Sequence, residues 1–265
     1  MHYQKIVVKV GTSTLTHANG SSNLERMDQL IRAISELMNA GREVILVSSG
    51  AISVGGSRMK RAERPTLLRE KQAAAALGQV TLMHLYDKLA AEYGHPVAQI
   101  LLTAHDLSEP ERRDNLHNTF ETLLSWGVLP VVNENDSVSP EEIESSQTRL
   151  FGDNDTLSAR VAALVQADLL VLLTDIPGLY DSDPRKNPAA KLVERVTEIT
   201  PELRAGTSGA GTSRGTGGMQ TKLSAGELAM ENGIDMFIAH GENPMTLLDV
   251  VYGRKPVGTL FHIPR

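Results

Sequence analysis

Three polar side chains stand together at Asp153-Asn154-Asp155, and the residues behind them, Thr156-Leu157-Ser158-Ala159, run straight into a helical pattern. Like charges this close repel, so something outside the segment must hold it. A helix N-cap would use one of the three, since Asp and Asn cap well and acids suit that end of the dipole. It leaves the other two unexplained. A polar site that organises a metal-bound phosphate or an ammonium group would use all of them.

Other strand exits carry complementary chemistry. Lys9-Val10-Gly11-Thr12-Ser13 closes the first apolar run, with a lysine, a flexible turn and two hydroxyls that suit an anion. Alone, Lys9 also reads as a solvated strand-end lysine. Ser48-Ser49-Gly50-Ala51 closes the second run; its small residues admit a ligand close to the backbone, or form a tight strand-to-helix turn. Asn133-Glu134-Asn135-Asp136-Ser137 follows the run Val128 to Val132 and places adjacent acids and amides along one sheet edge, which suits an α-amino group with its charge and three donors. An Asx-rich turn would account for two of these side chains. Gly215-Thr216-Gly217-Gly218-Met219-Gln220-Thr221-Lys222 opens a helix with glycines, where backbone amides bind phosphate and Lys222 can reach a terminal phosphoryl group. The alternative is a flexible linker. No Walker A loop occurs in the sequence, and the Ser48-Ser49-Gly50-Ala51 turn lacks the Gly-x-Ser-x-Gly pattern of a hydrolase elbow. Two lysines on separate elements, a glycine nest and acid/amide loops are what phosphoryl transfer needs, with Mg²⁺ arriving on the nucleotide rather than in a protein cage.

These residues require a scaffold of strands with their ends aligned. Lys5 to Val10, Val44 to Val47, Pro96 to Leu102, Val128 to Val132, Leu169 to Leu173, Asp235 to Ala239 and Gly258 to Phe261 read as strands. Between them lie amphipathic helices: Leu24 to Met38 ended by Gly41, an Ala-rich helix Leu67 to Tyr93 broken near Gly78, Asn115 to Trp126, Asp155 to Val165 and Met219 to Glu231. This alternation predicts an α/β fold, a three-layer αβα sandwich around an open, mainly parallel central sheet, with functional loops at the carboxyl ends of the strands. The chain of 265 residues reads as one domain, with a soft division near Gly152 into an amino-acid-binding half (1–152) and a nucleotide-binding half (153–265). The polar stretch Ala205 to Gly218 is long for a simple turn and reads as a functional loop.

Composition excludes several classes. With no cysteine there are no disulfides, thiolate metal sites or cysteine nucleophiles, and the eight histidines lack metal-ligand spacing. A net charge of −6 argues against a nucleic-acid partner. No run approaches the ~20 apolar residues of a membrane span. The N-terminus enters a strand at once, leaving no room for a signal peptide, and the absence of cysteine fits the expected cytoplasmic location.

The motifs together resemble the amino acid kinase family, over nearly the whole chain. The resemblance rests on Val8-Lys9-Val10-Gly11-Thr12-Ser13, Ser48-Ser49-Gly50-Ala51-Ile52, Leu101-Leu102-Thr103, Val131-Val132-Asn133-Glu134-Asn135-Asp136, Gly152-Asp153-Asn154-Asp155, Leu172-Leu173-Thr174-Asp175, Gly215 to Lys222 and Val257-Gly258-Thr259-Leu260-Phe261. Within that family it points to the branch in which ATP phosphorylates the side-chain carboxylate of L-glutamate, the first step toward proline. It implies that Lys9 and Lys222 neutralise the transferring phosphoryl group and that Asp155 orients them. Ser49, Gly50, Ala51, Asn133, Asn135, Asp136, Asp153 and Asn154 would hold glutamate. Lys9, Gly11, Thr12, Ser13, Thr174, Asp175 and Thr216, Gly217, Gly218, Met219, Gln220, Thr221 and Lys222 would hold ATP. Feedback inhibition by L-proline, a homo-oligomer and hand-over of product to a glutamyl phosphate reductase are further expectations. Many members carry a C-terminal domain of the PUA type; the sequence ends at Arg265, so the resemblance is to a short form without it. The segment Glu141 to Arg149 matches the pattern least and reads as a substrate-loop hairpin. Two rival readings are another amino acid kinase, such as one acting on acetylglutamate, and a catalytically silent amino-acid sensor; retention of Lys9, Lys222 and Asp155 argues against the sensor.

Overall fold

The continuous apolar runs are strands, and the central ones are buried on both faces, which is what a parallel sheet covered by helices demands. In the computed structural model, which describes residues 3–59, 65–138, 154–182, 187, 189–206, 218–254 and 256–263, they are β1 (Lys5–Val10), β2 (Glu43–Val47), β3 (Val97–Leu102), β4 (Leu129–Glu134), β5 (Leu169–Thr174), β6 (Arg195–Val196), β7 (Asp235–His240) and β8 (Gly258–Phe261). They form one sheet in the order β3-β4-β2-β1-β5-β7-β8-β6. All pairings are parallel except β7 with β8. The chain places β2 on one side of β1 and β5 on the other, so the order of connection reverses at β1. Open α/β sheets bind ligands at the carboxyl ends of the strands at such a point.

Helices cover both faces. On one lie α2 (Leu24–Asn39), α3 (Ala51–Arg58), α4 (Leu68–Glu92) and α10 (Thr246–Val251), whose apolar residues pack against Val8, Val10, Leu46 and Val131. On the other lie α5 (Ala104–Ser108), α6 (Pro110–Ser125), α7 (Asn154–Leu164) and α9 (Met219–Glu231), packed against Val7, Val47, Val132 and Leu172. The short α1 (Thr12–Leu15) follows β1, and α8 (Pro201–Gly206) precedes α9. Among the described residues no helix is long and apolar enough to cross a membrane.

Several boundaries differ from the sequence expectation. The helix expected to break near Gly78 runs unbroken. Gly78 is instead where α4 meets α3: a Cβ on it would lie 1.8 Å from the carbonyl oxygen of Ala51, and one on Gly55 would lie 1.8 Å from that of Ala74. Two backbones in direct contact leave no room for side chains, so these glycines serve a crossing. The helix expected from Asn115 begins at Pro110, where proline is favoured at the first helical position. The fourth strand continues past Val132 through Glu134, because Leu101 and Leu102 of β3 pair with Asn133 and Glu134. Asn133 and Glu134 therefore point to opposite faces rather than lining one edge. The short helices α1, α5, α8 and α10 were not expected, and α3 was expected only as the far side of a tight strand-to-helix turn.

Candidate active site

Lys9 is near the carboxyl end of β1, the strand hydrogen-bonded to both β2 and β5. Alternation puts its side chain on the same face as Val7, the face covered by α7 and α9. The structure thus buries Lys9 to 6% exposure, and the solvated strand-end alternative is excluded. Asp155 sits in the first turn of α7 and is fully buried. Lys222 lies in the first turns of α9 at 5% exposure. The three meet: Lys9 Nζ is 2.6 Å from Asp155 Oδ1, and Lys222 Nζ is 3.0 Å from Asp155 Oδ2. Thr221 Oγ1 lies 3.1 Å from the same Oδ2 and 2.7 Å from the carbonyl oxygen of Gly218, its single proton shared between two acceptors that join the start of α9 to α7. Ser158 Oγ closes the turn below by donating to Asp155 O at 2.6 Å.

Burial alone would raise the Asp155 pKa, but the two ammonium groups and their hydrogen bonds outweigh it and hold the carboxyl well below the usual range. Two cations share one anion, so the cluster carries one excess positive charge in a setting of low dielectric. Two ammonium groups converging on one carboxylate favour the approach of a further anion, and a phosphoryl group is such an anion.

A second set of polar groups adjoins the cluster through Asn154. Its Nδ2 donates to Ser48 O at 3.0 Å, Ser49 Oγ at 2.8 Å and Asn133 Oδ1 at 3.3 Å. Its Oδ1 is buried with no hydrogen-bond partner among the described residues. Gly50 adopts φ +92°, the left-handed conformation that lets β2 turn directly into α3, so the tight-turn reading of this segment holds and Ala51 is buried at the helix start. Asp136 is a buried carboxylate close in sequence to β4. Asn135 is half-buried, and its Oδ1 accepts from Ser137 Oγ at 2.5 Å, which is the local Asx arrangement.

The remaining expected nucleotide residues are distributed along the same sheet edge. Gly11 N–H donates to Leu173 O at 3.2 Å, joining the exits of β1 and β5, and a Cβ on Gly11 would stand 3.9 Å from Lys9 Nζ. Thr12 and Ser13 are half-buried in α1. Thr174 is buried, donating to Ile176 O at 3.0 Å and accepting from Ile176 N at 3.2 Å, so it shapes the turn after β5; Asp175 is exposed beside it. Gly218 precedes α9, Met219 packs against the core, and the Gln220 amide donates to Arg204 O at 2.9 Å. Asp153, Thr216 and Gly217 lie outside the described residues, as does Glu141 to Arg149. Two residues of α4 escaped the sequence reading: Gln79, which accepts from Asn133 Nδ2 at 2.9 Å, and Tyr86, whose hydroxyl is 2.8 Å from Ser48 Oγ. The available signal was a glutamine on an apolar helix face shared with Ala75, Leu82 and Tyr86.

The model of the amino acid kinase family matches residues 4–240. The chain belongs to that family. Among curated amino acid kinases it is similar to the glutamate 5-kinase of Clostridium perfringens (strain 13 / Type A), at 54% identity over 97% of this chain and 95% of the relative. It is similar to that of Clostridium acetobutylicum at 52% identity over 98% of this chain and 95% of the relative. A longer relative, the glutamate 5-kinase of Caldanaerobacter subterraneus subsp. tengcongensis, is 51% identical over 97% of this chain and 67% of its own length. Solved amino acid kinase folds match as well: a carbamate kinase from Giardia lamblia with a TM-score of 0.68 at 16% identity, covering 99% of each chain, and a UMP kinase from Ureaplasma parvum with 0.66 at 17%, covering 99% of this chain and 100% of that one. At these identities the structural likeness speaks to the fold.

Proposed function

We propose that this amino acid kinase transfers the γ-phosphoryl group of ATP to the side-chain carboxylate of L-glutamate, giving L-glutamyl 5-phosphate, the first step toward proline. The observation that carries the reading is the buried Lys9–Asp155–Lys222 cluster at the switch point of the sheet, together with the glutamate 5-kinase relatives that cover nearly the whole chain. A carboxylate acceptor has a pKa of about 4.3 and is ionised at neutral pH, so it needs no general base. The obstacle is repulsion between that carboxylate and the polyphosphate. Two lysines on one carboxylate supply the excess positive charge that offsets it. In the reaction a carboxylate oxygen forms a bond to the γ-phosphorus, the bond from that phosphorus to the bridging oxygen breaks, and ADP leaves with the electron pair. Mg²⁺ bound to the nucleotide would neutralise part of the phosphate charge.

The half of the sheet built by β1 to β4 (residues 1–152) is proposed to hold glutamate through Ser49, Asn133, Asp136 and Asn154. Residues 153–265 are proposed to hold ATP around Thr174 and the start of α9. The unpartnered Asn154 Oδ1 is an acceptor that an N–H of a free α-ammonium can meet. Proline inhibition, self-association, a cytoplasmic location and delivery of the reactive acyl phosphate to a reductase belong to the same reading. Hydroxylamine intercepts an acyl phosphate as a hydroxamate. Hydroxamate formed in step with ADP, and only when L-glutamate and ATP are both present, is the expected result; ADP release without hydroxamate would overturn the acceptor assignment.

A further inference from the structure

The orientation of Asn154 is set from a distance. Ser48 O is a carbonyl oxygen and can only accept, so the Asn154 atom facing it at 3.0 Å is Nδ2. Asn154 Nδ2 also faces Asn133 at 3.3 Å, so Asn133 must present Oδ1 there. Asn133 then turns its own Nδ2 the other way, where it donates to Gln79 Oε1 at 2.9 Å. One of the acceptors that hold Asn154 is thereby held from α4: Gln79 seats the Asn133 side chain, while Tyr86, two turns further along the same buried helix face, meets the Ser48 hydroxyl beside the carbonyl that faces Asn154. The close glycine crossing of α3 and α4 fixes the height of this helix against the Ser48–Ala51 turn. Asn154, itself 7% exposed, is left with Oδ1 as its one acceptor atom, buried and without a partner among the described residues.

We infer that Gln79 is a positioning residue for the amino-acid site: acting through Asn133, it fixes the Asn154 amide so that Oδ1 faces the α-ammonium of the substrate. The inference rests on L-glutamate being the substrate. Without an acceptor at position 79, the Asn133 amide keeps only its 3.3 Å contact with Asn154 Nδ2 to hold it, and its buried Nδ2 loses its partner, which favours rotation of the amide. Once Asn133 rotates, two amide N–H groups oppose each other and Asn154 loses one of its three restraints. The α-ammonium then meets a loosened or wrongly turned amide. The γ-carboxylate and the nucleotide, handled by the lysine cluster, are unaffected. The consequence is selective for the ammonium.

The test uses the full chain and three numbers: KM for L-glutamate, KM for ATP, and the inhibition constant of glutarate, which keeps both carboxylates and lacks the amino group. Gln79→Met removes the acceptor at similar length. It should raise KM for glutamate about 10-fold, the size expected for one hydrogen bond to a charged group, while the glutarate constant and KM for ATP stay within about 2-fold. Gln79→Glu keeps an oxygen that can accept from Asn133 and should stay within about 3-fold of the wild type for glutamate. An unchanged KM for glutamate in Gln79→Met overturns the inference, as does a parallel weakening of glutarate, which marks a general packing role. Equal impairment of Gln79→Glu also overturns it, since the nitrogen rather than the oxygen of Gln79 would then matter. Circular dichroism melts report folding, and should Gln79→Met not fold, Gln79→Glu decides by the same criteria. Failure of the substrate reading is distinct: it appears as absent glutamate turnover in the wild type, before any variant is compared, and removes the inference with it.

Discussion

Asp155→Asn changes one atom at the centre of the site and leaves its shape. Asp155 is fully buried, with Lys9 Nζ at 2.6 Å and Lys222 Nζ at 3.0 Å. At an effective dielectric of about 20, each pair has a gross Coulomb energy of roughly 5–6 kcal/mol. Most of this is cancelled by the cost of desolvating the charges, so the gross figure is not the loss to expect. Removing one partner of a buried ion pair typically costs about 3–5 kcal/mol, because the other charge is left buried and unmatched. For a domain somewhat above 250 residues, each kcal/mol moves Tm by roughly 2–4 °C, so the variant should melt about 10 °C below the wild type. Thermal melts of both proteins at about pH 7 measure this. A variant that melts within about 2 °C of the wild type would refute the claim that this carboxylate neutralises two buried lysines.

Lys9→Ala and Lys222→Ala should each lower kcat by about 10²–10³ with the fold retained, as expected for charge aimed at a transferring phosphoryl group; single-turnover rates on folded protein check this. The Asp155 pKa is depressed in the folded state, so its stabilising share is fully present above the unfolded pKa of about 3.9 and is lost as pH falls below it; acid melts should show the gap between wild type and Asp155→Asn closing on that side. Gly78→Ala should destabilise by at least about 1–3 kcal/mol, since its Cβ would collide with backbone 1.8 Å away; denaturant midpoints measure it, and an unchanged midpoint would mean that the helices separate freely. L-proline should inhibit competitively with glutamate, read as initial rates over a matrix of both amino acids; indifference to proline at low glutamate defeats that expectation.

Much of the fold was legible because the strands are continuous apolar runs. Val7 and Val8 in β1 and Leu169 to Leu173 in β5 are fully buried, so periodicity and burial agree. What sequence could not supply was tertiary. Gly78 reads locally as a helix breaker, and only the facing Gly55 explains why α4 passes through it. Asn133 and Glu134 have poor strand propensity, yet pairing with β3 extends β4 over them. The trio Lys9, Asp155 and Lys222 was nameable from motifs, but neither its burial nor the sharing of one carboxylate by two lysines could be read from spacing. Gln79 was hidden in an Ala-rich helix, and its role depends wholly on which strand the helix crosses.

The central claim is that this site carries phosphoryl to the side chain of an amino acid with a free α-ammonium. ADP release measured as kcat/KM for L-glutamate, N-acetyl-L-glutamate and L-aspartate, each with MgATP, tests it most directly. L-Glutamate should be favoured over its acetylated form by about 10⁴, the discrimination available to a site built around a polar match. Aspartate should fail as well, because one methylene fewer would leave its carboxylate short of the phosphoryl group that Lys9 and Lys222 are proposed to hold. Comparable values for glutamate and N-acetylglutamate would contradict the account.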